Sequence, residues 1–355
     1  IGSHLSEYLA ASGGPAVVLF RSRRNLPRLR HAARENVYFV DTGDLTSPEN
    51  LADLSRLIGR APVVFHAAAD PVANIDNLEQ AESVFRSNVL MTILLAEMVR
   101  RAGNTMVYLS SAYLTFLYAD RLPDRVDEDT PLPLSAEARG LVGDAREAFT
   151  GYVRDLLDGR TTSTPEAFVR DFLADHHAGR WMHKENLAVP KDMRFGLYGL
   201  AKIIPEALVP GASLRLTNVY GGRQNPGTVT RLITDRMLTN RTVFASTDTR
   251  NFVHVDDVAE AAIRMGLALR EGRAEPGVYY LGHPEATVSM SGLLERIAQG
   301  LDRAGYPFTV KGGSLRLGMP NLDFSRLQSV LTWHPRLDLT AGLADVIARA
   351  RTRLR

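Results

Sequence analysis

Tyr198 and Lys202 stand four positions apart, which on a helix puts both side chains on one face, about one turn from each other. An ammonium group so placed can lower the pKa of the phenol and hold a hydroxyl of a bound ligand. The phenol is then a proton donor or acceptor for a carbonyl/alcohol pair. The chain has 11 tyrosines but only four lysines among its 42 basic residues, so a pair at this spacing carries weight. A hydroxyl pair, Ser110-Ser111, follows the apolar run Thr105-Met106-Val107-Tyr108-Leu109. Ligands bind at the C-terminal ends of strands in open α/β sheets. Ser111 is the first candidate to bind a substrate oxygen beside Tyr198, with Ser110 the alternative one residue away. Three histidines, His176, His177 and His183, lack metal-ligand spacing, and no metal site is expected.

These residues need a scaffold, and the composition allows a large one. At 355 residues, with 45% hydrophobic and 23% charged side chains, the chain has the make-up of an ordinary globular α/β protein. A net charge of +2 gives no general attraction to nucleic acid. The absence of cysteine excludes disulfides, thiolate nucleophiles and Cys-ligated metals. No apolar run reaches the roughly 18 residues of a membrane span, and no basic-then-apolar leader is present, so a cytoplasmic protein is expected.

Apolar strands are expected at 16–20, 37–40, 62–67 and 105–109, with helices over 5–11, 48–58 and 78–101 between them. Continuous apolar strands alternating with helices indicate a parallel sheet covered on both faces. After Ser111 the rhythm breaks into acidic loops and helices at 136–157 and 165–176. It resumes at Tyr198 with a helix to 208, strands at 213–216 and 250–255, and a helix at 258–269 capped by the carboxylates of Asp256-Asp257. A strand at 278–281, a helix at 290–303 and the tail 322–353 complete a smaller lobe.

In this order the motifs resemble those of the extended short-chain dehydrogenase/reductases of the NAD-dependent epimerase/dehydratase type. The matching stretches are Gly2-Ser3-His4-Leu5, Gly43-Asp44-Leu45, His66-Ala67-Ala68-Ala69, Asn88, Leu109-Ser110-Ser111, Tyr198 with Lys202, Leu214 to Gly221, and Arg250 to Asp257. Asp323-Phe324-Ser325 and Trp333-His334-Pro335 extend the likeness nearly to the end. The resemblance implies a Rossmann-type doubly wound parallel sheet (1–115, 196–222 and 250–270). It also implies a helical insertion or lid (116–195) and a smaller α/β substrate lobe (223–249 and 271–355). The first strand and glycine turn of such a domain are not in this sequence. The expectation is a natural N-terminal segment of about one strand and turn ahead of Ile1; the alternative is a diverged protein that has lost dinucleotide binding.

By resemblance, Ser111, Tyr198 and Lys202 are catalytic. Gly2, Asp44, Leu45, Ala67, Ala68, Ala69 and Asn88 then line a dinucleotide, with Lys202 on its nicotinamide ribose. Arg21, Arg23 and Arg24 stand where a carboxylate would favour NAD, so NADP is the expected cofactor and NAD the alternative. Asn218 is expected near the substrate, with Arg250 as a clamp on a substrate diphosphate and Arg223 and Arg231 as further candidates.

Sugar 4,6-dehydratases of the family carry an Asp-Glu pair after the active-site hydroxyl, where this chain has Ala112-Tyr113. A hydride transfer without elimination remains, by an epimerase or a reductase, most readily on a nucleotide-activated sugar. A ketone, aldehyde or acyl-thioester reductase is the alternative, and a non-catalytic ligand-binding scaffold the alternative of another class. The long segment between Ser111 and Tyr198 is expected over the substrate cleft, or else as a helical decoration for dimer contact. A homodimer is expected through the helices 78–101 and 198–208.

Overall fold

The computed structural model describes residues 1–21, 26–310 and 318–353. Its strands are β1 (Ala16–Phe20), β2 (Val37–Asp41), β3 (Val63–His66), β4 (Thr105–Ser111), β5 (Arg125–Val126) and β6 (Gly211–Leu216). There follow β7 (Asn218–Tyr220), β8 (Val243–Ala245), β9 (Thr249–His254), β10 (Gly277–Leu281), β11 (Thr287–Ser289), β12 (Phe308–Val310) and β13 (Asn321–Leu322). Apolar strands that are followed by helices pair in parallel. The central sheet has the order β10-β6-β4-β3, and all of its pairings are parallel. β1 and β2 form a separate parallel pair, and no strand among the described residues joins β1 to β3.

The helices of the first half are α1 (Gly2–Ala11), α2 (Leu26–Leu29), α3 (Leu51–Gly59), α4 (Leu78–Val84), α5 (Met91–Arg101), α6 (Tyr113–Leu117), α7 (Ala136–Leu157) and α8 (Pro165–Asp175). Those of the second half are α9 (Lys191–Phe195), α10 (Leu197–Ile203), α11 (Val229–Leu238), α12 (Val255–Arg270), α13 (Met290–Gly300), α14 (Ser325–Leu331) and α15 (Leu339–Arg353). Their starts follow from side chains that accept an otherwise orphan amide: Asn77 from Gln80, Ser135 from Ala138, Thr164 from Ala167 and Ser289 from Gly292. α12 differs from the expected cap, because the His254 imidazole accepts from Asp256 N at 3.3 Å while Asp256 and Asp257 lie in the first turn.

The single helix expected over 78–101 is interrupted by a π-helical turn, Phe85–Leu90, which contains Asn88. Such turns are rare and tend to occur at functional sites. Beyond it, nine consecutive residues of α5, Met91 to Val99, are buried. A helix buried all round has no free face.

What covers α5 is the inserted segment. α7 packs on α5 and on the 3-10 turn Ile204–Leu208, while α8 packs on α4 and the π-helical turn. Phe149 meets Phe168 and Phe172 edge-on, with ring centroids 4.9 and 5.0 Å apart, and Phe85 closes the cluster. Arg146 of α7 donates to the carbonyls of Ile204 (2.8 Å) and Ile203 (3.2 Å). The body of the insertion packs its aromatic face on these helices, which give it an apolar surface to bury. Its first part also carries β5, which pairs with β13. The same packing covers α5 and the turn Ile204–Leu208, parts of the two segments through which a homodimer was expected.

Candidate active site

β4 ends in two serines that face different ways. Ser110 Oγ donates to the Glu206 carboxylate at 2.6 Å and lies 3.4 Å from the carbonyl of Lys202, so it is spent on the helix side of the sheet. Ser111 Oγ accepts from Tyr113 N at 3.2 Å, and its hydroxyl acts on the Tyr198 phenol. Alternation along a strand places neighbouring side chains on opposite faces, and this separates the two serines.

α10 carries Tyr198 and Lys202. Gly199 between them allows close approach to α6, because a Cβ there would stand 2.6 Å from Leu114 Cγ. Tyr113 of α6 meets Tyr198 edge-on, centroids 5.8 Å apart, and its hydroxyl donates to Phe195 O at 3.0 Å. Burial pushes the Tyr198 phenol up to about 12, and the Ser111 hydroxyl beside it acts against that rise. The expected lowering of the phenol by an ammonium is not what the structure shows. Burial pulls Lys202 down to about 7, with the Glu206 charge opposing. The lysine is 3% exposed, and its ammonium lies 4.6 Å from the centre of the Tyr108 ring.

Gly2 starts α1, where no side chain caps the helix; a methyl on it would stand 3.7 Å from Ala67 Cβ. The N-terminus of α1 thus meets the C-terminal end of β3, where Ala68 and Ala69 are exposed. Asn88 uses its whole amide on the backbone of Asp70, accepting from its N at 2.8 Å and donating to its O at 3.0 Å. It braces the loop after β3. Asp44 accepts from Thr46 N and Oγ1 at 2.9 and 2.7 Å and pairs with Arg86 (3.4 Å) and Arg21 (3.9 Å). Burial opposes the charge, yet these partners hold its carboxyl below the usual range. Leu45 packs on the main core, and Arg21 is exposed. Arg23 and Arg24 lie outside the described residues.

Of the substrate candidates, Arg250 belongs with the tyrosines, since its charge acts on the Tyr113 phenol, which burial raises. Its Nη2 is 3.1 Å from Asp248, while its buried Nε has no hydrogen-bond partner. Asn218 Nδ2 donates to Asn251 O at 2.9 Å, tying β7 to β9. Arg223 is held by both carboxylate oxygens of Glu7 (2.5 and 2.9 Å) and by Ser3. Arg231 is held by Gln224 O at 2.7 Å and Asp235. Their partners lie on α1 and around α11, and both arginines line a second cleft with Arg349 and Arg353.

Reading the sequence missed Glu206, Arg215 and Tyr113. Glu206 had a signal, a carboxylate four residues past Lys202 on the same helical run. Arg215 acquires its meaning only from the pairing of β6 with β4, and Tyr113 from the packing of α6 on α10.

Residues 1–136 and 199–282 match the model of the NAD dependent epimerase/dehydratase family. A UDP-glucose 4-epimerase of Mycolicibacterium smegmatis is 26% identical over 357 residues, 98% of this chain and 94% of that protein. A dTDP-glucose 4,6-dehydratase of Actinoplanes sp. is 31% identical over 140 residues, 38% of this chain and 42% of that protein. Among solved structures, the Bordetella bronchiseptica enzyme WbmH in complex with NAD+ superposes with a TM-score of 0.65 at 19% identity, over 99% of this chain and 94% of that one. A variant of UDP-glucuronic acid 4-epimerase from Bacillus cereus, in complex with NAD and a fluorinated UDP-glucuronic acid, gives 0.65 at 18% identity, over 99% and 96%.

Proposed function

The chain belongs to the NAD-dependent epimerase/dehydratase family, and from that premise we propose that it transfers a hydride at a carbonyl/hydroxyl carbon of a nucleotide-activated sugar. The observation that carries this reading is the placement of the Ser111 hydroxyl beside the Tyr198 phenol, close enough to act on its proton, with Lys202 one turn further along α10. Near neutral pH a phenol at about 12 holds its proton. Tyr198 therefore gives a proton to a substrate oxygen, and the phenolate so formed takes it back in the reverse step, while Ser111 fixes that oxygen.

The residues present fit a nicotinamide dinucleotide. Gly2 at the uncapped start of α1 offers amides to a pyrophosphate. Ala67, Ala68 and Ala69 leave room for close approach, and Lys202 would hold the ribose. The dinucleotide, when bound, accepts and returns the hydride. With Arg21 and no acid directly after β1, NADP is our preferred form; NAD is the form in the two structural relatives above.

Epimerisation or simple reduction is favoured over dehydration. Ala112 is buried, and the Tyr113 hydroxyl is spent on Phe195 O. Asp70, whose charge reaches Tyr198, already accepts from Val72 N and Ser83 Oγ. Arg250, with its unpartnered Nε, suits a substrate phosphate. The relatives act on, or are bound to, UDP- and dTDP-sugars, which supports the sugar class.

The test assays UDP- and dTDP-sugars, simple ketones and acyl thioesters with NADPH and NADH. Tyr198→Phe should lower turnover by about 10²–10⁴-fold while nicotinamide fluorescence still reports dinucleotide binding. Unchanged turnover in that variant would exclude the mechanism.

A further inference from the structure

The polar cluster beneath the Ser111–Tyr198 pair is larger than the proposed chemistry uses. Pro205 has no N–H to continue α10, and the helix tightens into the 3-10 turn Ile204–Leu208. The carbonyl of Lys202 is met by two side chains of β4, the Tyr108 hydroxyl at 3.3 Å and Ser110 Oγ at 3.4 Å. On this turn Glu206, 8% exposed, accepts from Ser110 Oγ at 2.6 Å. It also accepts from Arg215 Nε at 3.1 Å and Nη2 at 2.7 Å. Arg215 reaches the Tyr280 hydroxyl at 3.4 Å, and Tyr280 shares a hydrogen bond with Thr115 of α6 at 2.9 Å. One carboxylate therefore joins α10, β4 and β6, and through Arg215 it reaches β10 and α6.

A buried carboxylate with this many donors is fixed in place, and a fixed charge one turn from the lysine acts on it. We propose that Glu206 is a positioning residue of the site: held by Ser110 and Arg215, it fixes the charge of Lys202 beneath Tyr198 and the register that leaves Ser111 facing the phenol. The inference rests on the function proposed above, in which Lys202 holds the ribose, and adds that it does so as an ammonium.

Titratable and charged groups reach the surroundings of Lys202 from several elements, and α6 brings Tyr113 against Tyr198. Among them are Tyr198 and Glu206 along its own helix and the following turn, His66 on β3, Tyr108 on β4, Arg215 on β6 and Arg146 on α7. Glu206 is the group whose charge raises Lys202 against burial, whereas His66 is buried and neutral. Removing the carboxylate strips that support and leaves the Arg215 charge unpaired nearby. Both changes disfavour the ammonium.

The experiment labels the four lysines with ¹³C at Cε, assigns Lys202 by Lys202→Arg, and follows its NMR titration in the full chain beside the pH profile of turnover. In Glu206→Gln the Lys202 midpoint should fall by about one pH unit, with the alkaline limb of kcat moving the same way and KM little changed. Adding Arg215→Gln to that variant should bring the midpoint part of the way back, and Glu206→Asp should stay near the wild type. Should Glu206→Gln fail to fold, Ser110→Ala removes one anchor of the carboxylate and should shift the midpoint in the same direction by less. An unmoved Lys202 midpoint, with turnover lowered equally at every pH, overturns the proposal and leaves Glu206 as a fold-holding ion pair. Should no substrate turn over, the function reading fails separately while the NMR midpoint still decides the role of Glu206.

Discussion

His66 stands at the end of β3 with its ring stacked on Tyr108, centroids 5.5 Å apart, and its Nε2 3.0 Å from Thr92 Oγ1. Burial pulls it down to about 3 from the ordinary 6.5, with the Lys202 charge acting in the same direction. As pH falls below 6.5 the unfolded chain takes up the proton first, so the stability contributed by the neutral ring is complete above that value and lost toward pH 3. Lys202 obeys the same linkage higher up: with about 7 in the fold against 10.5 unfolded, stability rises as pH climbs between those values. We expect the stability advantage of the wild type over His66→Gln, measured by urea unfolding, to shrink steadily from pH 7 to pH 4. A difference independent of pH would mean that the ring titrates normally. The site is thus a place where burial, more than pairing, sets charge.

Gly199 shows how the elements hold that site. It lies on α10 between the tyrosine and the lysine, and its missing side chain lets α6 approach. A Cβ there would meet Leu114 Cγ at 2.6 Å and Tyr113 Cδ1 at 3.2 Å. Overpacking of this kind typically costs about 1–3 kcal/mol. Gly199→Ala should therefore lower the melting temperature and, by pushing Tyr113 off the edge of Tyr198, lower kcat more than it raises KM. A variant with the wild-type melting temperature and kcat would show that α6 can move aside freely. At the same scale, Asn88 within the π-helical turn holds the loop after β3 through two backbone hydrogen bonds, so the loop bearing Ala67 to Ala69 is set by a helix.

For the whole molecule, the inserted helices α7 and α8 decide which faces remain open. They bury the outer sides of α4, α5 and the turn after α10, the helices through which a second copy was expected to pack. With Met91 to Val99 buried without a break, α5 offers nothing to a partner. We therefore expect light scattering after gel filtration to give a monomer near 39.1 kDa. A dimer in which cross-links join α5 of two copies would show that α7 swings away in solution.

The sequence by itself determined the elements and their order. Apolar runs mark the parallel strands, the boundaries of α7 match its residue pattern, and the Tyr198/Lys202 spacing lies on one helix as read. It also separated the Ser-Ala-Tyr run from an acidic pair. What it did not hold was the direction in which an interaction acts once groups are packed. Which serine faces the phenol depends on the pairing of β4 with β6, which turns Ser110 toward Glu206 and Arg215. The charge of Lys202 depends on being buried against Tyr108, a contact between residues 94 positions apart. Arg223 is a further candidate for the substrate in the sequence, where an arginine shows its charge but not its partner. Only the folded chain brings Glu7 across 216 positions to neutralise it. Local pattern fixes local conformation through backbone sterics and apolar spacing, whereas burial and long-range pairing set pKa values and free surfaces, and these exist only in the tertiary structure.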